Sequence, residues 1–293
     1  MDIWEANKIS SAYTLHPCNI SGLHRCEDET ECGDNDTGHR FDGVCDKDGC
    51  DFNPYRAGVK DFFGPGMTVD STQKMRVVTQ FITHDGTDSG DLVEVRRLFK
   101  QNGQVIEHPK TAIDTLDTQY DSITDDMCTD VKNAFGDYND YSKKGGAKAM
   151  GDAMEDGMVL VMSLWDDYSV DMLWLDSTYP TDKTTWGGPR GTCGTDSGKP
   201  ADVEANSPWS NVTFSSIRIG EIGSTYGDDP APGPSPTPSG DYKYGDACST
   251  PYDDDCDGCA GGECDWSWPK DDPDQWNSKD AKCRCNVSYV FTQ

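Results

Sequence analysis

Two carboxylic acids bracket a tryptophan at the start of the chain, in the string Asp2-Ile3-Trp4-Glu5. Paired carboxyls beside an aromatic ring are residue types that can cleave glycosidic bonds. That reaction needs one protonated carboxyl to protonate the leaving oxygen and one ionised carboxylate. Close like charges and apolar neighbours can hold one proton in place near neutral pH. In an acidic chain such a pair is ordinarily solvated surface, so it acquires meaning only from its surroundings. A regular strand would turn Asp2 and Glu5 to opposite faces. A shared site therefore requires a bulge or bend between them.

Other residue types invite other chemistries. Asp34-Asn35-Asp36 and Asp46-Lys47-Asp48-Gly49 have the look of calcium turns. Neither completes a twelve-residue loop with its closing Glu. Cys256-x-x-Cys259 with Cys283-x-Cys285 has a superficial zinc spacing, but it is irregular, and disulfides fit better. No metal site is expected. Trp165 and Trp174 lie at the ends of two short apolar stretches, where a tryptophan read alone belongs to a core.

The elements that must position these residues read as mostly β. Met75 to Thr83 and Leu92 to Phe99 are rich in β-branched and aromatic residues and are bounded by turn formers. Met158 to Trp165 is a continuous apolar run, as for a strand buried on both faces, and Met172 to Leu175 continues it as a strand pair after a turn. Val212 to Ile219 alternates like a last strand. Thr129 to Phe135 and Ala147 to Met154 are expected to be short helices. Strands with repeated turn signals predict an all-β, antiparallel β-sandwich. A stretch with proline at every second position, Pro230 to Pro238, marks a semi-rigid linker. The expected organisation is a domain over 1–227, a linker over 228–240 and a cysteine-rich module over 241–293.

The 293 residues include 53 acidic and 25 basic side chains, a formal net charge of -28. Such a chain is repelled by nucleic acid and by anionic membrane surfaces, so neither is expected as a partner. No apolar run approaches the roughly 18–20 residues of a membrane span. Thirteen cysteines are too many for a reducing compartment and point to a secreted protein. Glycosylation acceptor patterns at Asn19, Asn35, Asn211 and Asn286 fit that setting.

Longer strings carry a resemblance. Met1-Asp2-Ile3-Trp4-Glu5-Ala6-Asn7, with Ser10, Ala12 and His16-Pro17-Cys18, is similar to the catalytic strand of glycoside hydrolase family 7. The likeness continues through Asp46 to Arg56, Val77 to Phe81, Gly157 to Asp167, Met172 to Pro180, Arg190 to Cys193 and Ile222 to Thr225. It covers about residues 1–226. The family comprises secreted cellobiohydrolases and endoglucanases that cut cellulose, built on a concanavalin-like jelly roll. The resemblance thus implies a secreted, monomeric enzyme that binds cellulose and cello-oligosaccharides and uses no cofactor.

The family motif is Glu-x-Asp-x-x-Glu. Asp2 matches its supporting Asp and Glu5 its general acid/base. The nucleophile should sit two residues before Asp2, immediately before Met1, so the chain is expected to be the C-terminal part of the catalytic domain and inactive alone. By resemblance Cys18 pairs with Cys45, Cys26 with Cys32, and Cys50 with Cys128, which leaves Cys193 over. Trp165 looks like a sugar platform on the non-reducing side of the cut, and Trp174 like one on the product side. Arg40, Asp48, Asp51, Tyr179 and Arg190 match residues that hold the cellobiose product, and His16 matches a histidine beside the acid/base. Arg56 reads either as a substrate contact or as a buried ion-pair partner. Phe52 stands where the family commonly has Trp.

Loop lengths favour the cellobiohydrolase form over the endoglucanase form. Gly33 to Val44, twelve residues, carries Arg40 and would help roof a tunnel for processive cellobiose release. The tail aromatics Trp266, Trp268, Trp276, Tyr242, Tyr244 and Tyr252 could form a sugar-binding face. Its alternative is a disulfide-stapled interaction module. For the whole chain the alternative to an enzyme is a non-catalytic glucan-binding remnant or wall protein, in which Trp165 and Trp174 still hold glucan.

Overall fold

Strand β1 (Asp2–Ala6) pairs antiparallel with β2 (Ser11–Leu15), and β2 pairs with β3 (Cys50–Asp51). The β1–β2 turn is set by Asn7, whose side-chain oxygen accepts from the backbone N–H groups of Ile9 and Ser10. In the computed structural model, residues 1–227 are described, together with two short strands near the C-terminus.

Two further strands, β4 (Phe63–Gly64) and β5 (Val69–Asp70), form a small parallel pair. A second antiparallel sheet follows: β6 (Arg76–Thr83), β7 (Leu92–Gln101) and β8 (Gln104–Glu107). β6 and β7 coincide with the two runs expected as strands.

Both expected helices form. α1 (Asp125–Phe135) starts at Thr124, whose hydroxyl accepts from the Met127 N–H at 3.1 Å, and stops at Gly136 in the left-handed conformation. Its apolar face buries Met127, Cys128, Val131 and Phe135. After the short α2 (Asp140–Lys143), α3 (Gly146–Glu155) buries Ala147 and Met150. These side chains share one core with Tyr13 and Leu15 of β2, Cys50 of β3 and Leu92 and Val95 of β7. The helices thus press the second sheet and the first into one body. Disulfide Cys50–Cys128 ties β3 to α1 through that core, and Cys18–Cys45 and Cys26–Cys32 staple the loop between β2 and β3.

Three expected strands do not form. Residues 157–165 carry no strand hydrogen bonds, and Val159, Val161 and Leu164 are exposed. A strand buried on both faces needs neighbours along both edges, and among the described residues none pairs with it. An apolar run cannot reveal whether its partners exist. Residues 212–219 likewise form no strand. The Met172 to Leu175 stretch is also not a strand but the start of a helical turn, α4 (Leu173–Asp176). A last helix, α5 (Pro200–Asn206), starts on proline, whose missing N–H costs nothing there.

The described residues fall into two units, the first ending at Val212. In the second, β9 (Glu263–Asp265) and β10 (Lys282–Arg284) pair antiparallel, with Cys264 opposite Cys283. The linker at 228–240, the tail aromatics and Asn286 lie outside the described residues. Asn19, Asn35 and Asn211 are exposed.

Candidate active site

β1 carries Asp2 and Glu5. Asp2 pairs with Thr14 and Glu5 with Ala12, so three steps on β1 match two on β2. The extra residue is a bulge. It restores to one side two carboxylates that a regular strand would separate, and both now engage β2. Glu5 Oε2 accepts from the Thr14 hydroxyl at 3.3 Å, and Asp2 Oδ2 lies 2.8 Å from His16 Nε2.

His16 has a second partner. Its Nδ1 stands 2.8 Å from the Asp46 carbonyl. A carbonyl only accepts, so Nδ1 donates there, and a carboxylate at Nε2 draws a donor too. The site therefore favours the doubly protonated ring. Burial alone would lower the His16 pKa, but the bonds to Asp2 and Asp46 outweigh it and raise it. The hydrogen bond from His16 in turn holds Asp2 below its ordinary range. Asp46 is placed by the Cys18–Cys45 disulfide and by its own N–H on the Pro17 carbonyl.

Glu5 behaves oppositely. Burial, then the nearby negative charge of Asp2, push its carboxyl from 4.5 to about 7. The result is one ionised carboxylate locked to a histidine beside one carboxyl that keeps its proton near neutrality. Divergent pKa values of this kind separate a general acid from its charged companion.

Asp51 continues the row, since it lies across β2 from Asp2 with Thr14 between them. It accepts from Arg56 Nη1 at 2.5 Å. Arg56 is only 6% exposed; its Nη2 reaches Asp137 at 2.5 Å, its Nε the Gly187 carbonyl, and its guanidinium lies on the Phe135 ring. Lys183 also pairs with Asp137, at 3.0 Å. Of the two readings of Arg56, the structure thus places it as a buried ion-pair partner that supports Asp51. Burial would raise the Asp51 pKa, but Arg56 and Arg190 together bring it below the ordinary value.

Arg190 is held through its backbone carbonyl by Ser10 and Asn53, and its Nε points at the Tyr179 carbonyl. Burial and the like charge of Arg56 lower it to about 10, so it remains a cation. Arg40 and Asp48 form a more open pair at 2.5 Å on the stapled loop. Asp2, Glu5, His16, Asp51, Arg56 and Arg190 are thus joined by short contacts or mutual charge, while Arg40–Asp48 is adjacent and Tyr179 enters through its backbone.

The two tryptophans lie side by side. Trp165 and Trp174 stack on each other, with ring centroids 6.1 Å apart and planes at 18°. A sugar between them would need roughly twice the 3.5–4.0 Å of a carbon contact, so their facing sides cannot both hold one pyranose here. Trp174 is anchored by its N–H on Asp167 at 3.0 Å. Trp165 follows the unpaired run and has no strand to fix it.

Thr14, Asp137, Lys183 and Asp167 escaped the sequence reading. Thr14 was within reach, because its place opposite the carboxylate strand follows from the hairpin register. The other three arrive from distant segments and give no local signal. The Asp-rich turns cap their own backbones: Asp34 accepts from the Asp36 N–H and Asp46 from that of Asp48. Among the described residues no cluster of three or more His, Cys, Asp or Glu could hold a metal, and no helix is long and apolar enough to cross a membrane.

The profile of the family described as Glycosyl hydrolase family 7 matches residues 1–226. The chain belongs to glycoside hydrolase family 7. Exoglucanase GH7B of Limnoria quadripunctata is 54% identical over 222 residues, covering 76% of this chain and 48% of that protein. The crystal structure of a family 7 cellobiohydrolase from Daphnia pulex, 54% identical, superposes with a TM-score of 0.68 over 70% of this chain and 46% of its own. A cellobiohydrolase from Melanocarpus albomyces complexed with cellotetraose, 39% identical, gives 0.63 over 71% and 46%. The fold is accordingly the antiparallel β-sandwich of family 7. The chain spans about half the length of the relatives it matches.

Proposed function

We infer that residues 1–227 form the acid/base side of a secreted, retaining hydrolase that cuts β-1,4-glucosidic bonds of cellulose. The bulged strand carries this reading, because it sets a protonated Glu5 beside an ionised Asp2 locked to His16. Glu5 protonates the leaving glycosidic oxygen and later activates the water that releases the sugar. Asp2 and His16 tune the nucleophile, a carboxylate that the family motif places just before Met1. Asp51, Arg190, Arg40, Asp48 and Tyr179 hold the product, Arg56 steadies Asp51, and Trp165 and Trp174 offer stacking faces. The substrate is a cello-oligosaccharide or a cellulose chain, and the stapled loop carrying Arg40 favours processive release of cellobiose by a monomer.

The test is sugar release from cellulose. Residues 1–293 alone should release none, because a retaining reaction needs two carboxyls about 5–5.5 Å apart, one of them the nucleophile. A longer chain that brings the upstream carboxylate should release cellobiose, and Glu5→Gln should cut that rate about 10²–10⁴-fold. Soluble sugar from residues 1–293 alone would overturn the nucleophile assignment, and an unchanged rate in Glu5→Gln the acid/base role.

A second reading rests on Trp165, whose side is exposed and stacked on Trp174. In it the chain binds glucan without cutting it. Retention on cellulose by residues 1–293, lost in Trp165→Ala, together with no sugar release by any longer chain, would favour it.

A further inference from the structure

Among the described residues, Arg97 is a cation without an anion. It projects from β7, is 1% exposed, and forms no ion pair with any described residue. Its Nε and Nη1 have no hydrogen-bond partner among the described residues. Burial lowers it only to about 10, so it is charged at neutral pH. An unpaired buried charge is among the most costly features a core can carry. No sugar contact accounts for it, since it lies beneath the strand that bears the carboxylates.

Its two contacts are specific. Nη2 donates to the Ile3 carbonyl, and the guanidinium carbon lies 4.9 Å from the centre of the Tyr13 ring. The register makes these contacts informative. Between Asp2↔Thr14 and Glu5↔Ala12, β1 has Ile3 and Trp4 where β2 has only Tyr13. Arg97 therefore grips the bulge from both strands, through a carbonyl on the two-residue side and the ring on the one-residue side. A bulge breaks the ladder, and a carbonyl without a donor is costly. Arg97 supplies that donor. Nearby His108 is driven down to about 3 by burial and by Arg97, so it is neutral and leaves a single positive charge there.

We propose that Arg97 is a positioning residue, whose bond to the Ile3 carbonyl fixes the β1 bulge and so turns Asp2 and Glu5 to one side. The proposal rests on reading those two carboxylates as the site. Without the bulge, side chains three residues apart face opposite ways, and Glu5 loses the company of Asp2.

The experiment is nuclear magnetic resonance on residues 1–293 with disulfides intact, following the Glu5 carboxyl carbon and the Ile3 carbonyl carbon against pH. Asp2, His16 and Asp51, the charged groups acting on Glu5, are untouched in every variant. Arg97→Met should move the Ile3 carbonyl resonance and lower the Glu5 midpoint by about one pH unit or more, a tenfold change in proton affinity. Arg97→Lys keeps the charge and a donor for the Ile3 carbonyl and should restore both signals toward wild type. His108→Phe disturbs the same aromatic cluster without touching Ile3 and should lower the melting temperature while leaving both signals in place. If Arg97→Met does not fold, Arg97→Lys and His108→Phe decide by the same rule. In every folded variant the Glu5 midpoint must move with the Ile3 resonance. A variant in which one moves without the other, or His108→Phe shifting Glu5 as far as Arg97→Met, overturns the proposal. Hydrolysis is not measured, so a chain that cuts no glucan leaves this inference standing.

Discussion

Replacing Glu5 by Gln should stabilise the protein in alkaline solution and have little effect in acid. The carboxyl rises from 4.5 to about 7 on folding, chiefly through burial and then through the charge of Asp2. Between those two pH values the folded chain keeps a proton that the unfolded chain has released. Stability therefore falls as pH rises through this window; the Glu5 contribution is complete below 4.5 and gone above 7. At 1.36 kcal/mol for each pH unit, the full change is about 3 kcal/mol. Glu5 retains partial contact with solvent, which screens its charge, so the observed change should lie between about 1 and 3 kcal/mol. Gln fills the same space and does not titrate. Urea unfolding of wild type and Glu5→Gln at pH 4 and pH 8, with disulfides intact, isolates the effect, because the other carboxylates cancel in the difference. The variant should gain on wild type between the two conditions. A stability difference that is the same at both pH values would show that Glu5 is an ordinary solvated carboxylate, and the acid/base argument would lose its basis.

Two other perturbations address the same site. Asp2→Asn removes the partner that raises His16 and the charge that helps raise Glu5, so both midpoints should fall in a nuclear magnetic resonance titration; an unmoved His16 would deny the ion pair. The stability that His16 now contributes is present below its ordinary 6.5 and is lost as pH rises through its raised folded value, and Asp2→Asn should abolish that dependence. Gly49→Ala should cost about 2 kcal/mol in thermal unfolding and displace His16. Gly49 has a φ of +70°, and a Cβ there would lie 2.6 Å from His16 Cε1 and clash with the Thr14 methyl; an unchanged melting temperature would refute this.

Much of the scaffold was readable because its signals are local. β6 and β7 announced themselves by β-branched runs between turn formers, and the second half of α1 was expected as a short helix at Thr129 to Phe135, while its Thr124 and Gly136 ends come from the structure. The need for a bulge between Asp2 and Glu5 followed from strand parity alone, and the register shows one. What failed was non-local. The run ending at Trp165 has the composition of a buried strand, but composition cannot supply neighbours to pair with it. Trp165, at the end of that run, stacks on Trp174. Arg56 was ambiguous because its fate depends on Asp137 and Gly187, far along the chain. Arg97 gave no sign at all, since a charged residue in a strand normally reads as its solvent side.

The unpaired apolar run has a colloidal consequence. Met158, Val159, Val161, Leu164 and Trp165 all lie at least half exposed, in one continuous stretch that invites association with another molecule. Against this stands a net charge of -28, which keeps copies apart only over the reach of unscreened Coulomb forces. That reach shrinks from about 10 Å in 0.1 M salt to about 3 Å in 1 M salt. Raising the ionic strength should therefore lower the concentration at which a solution of this chain clouds.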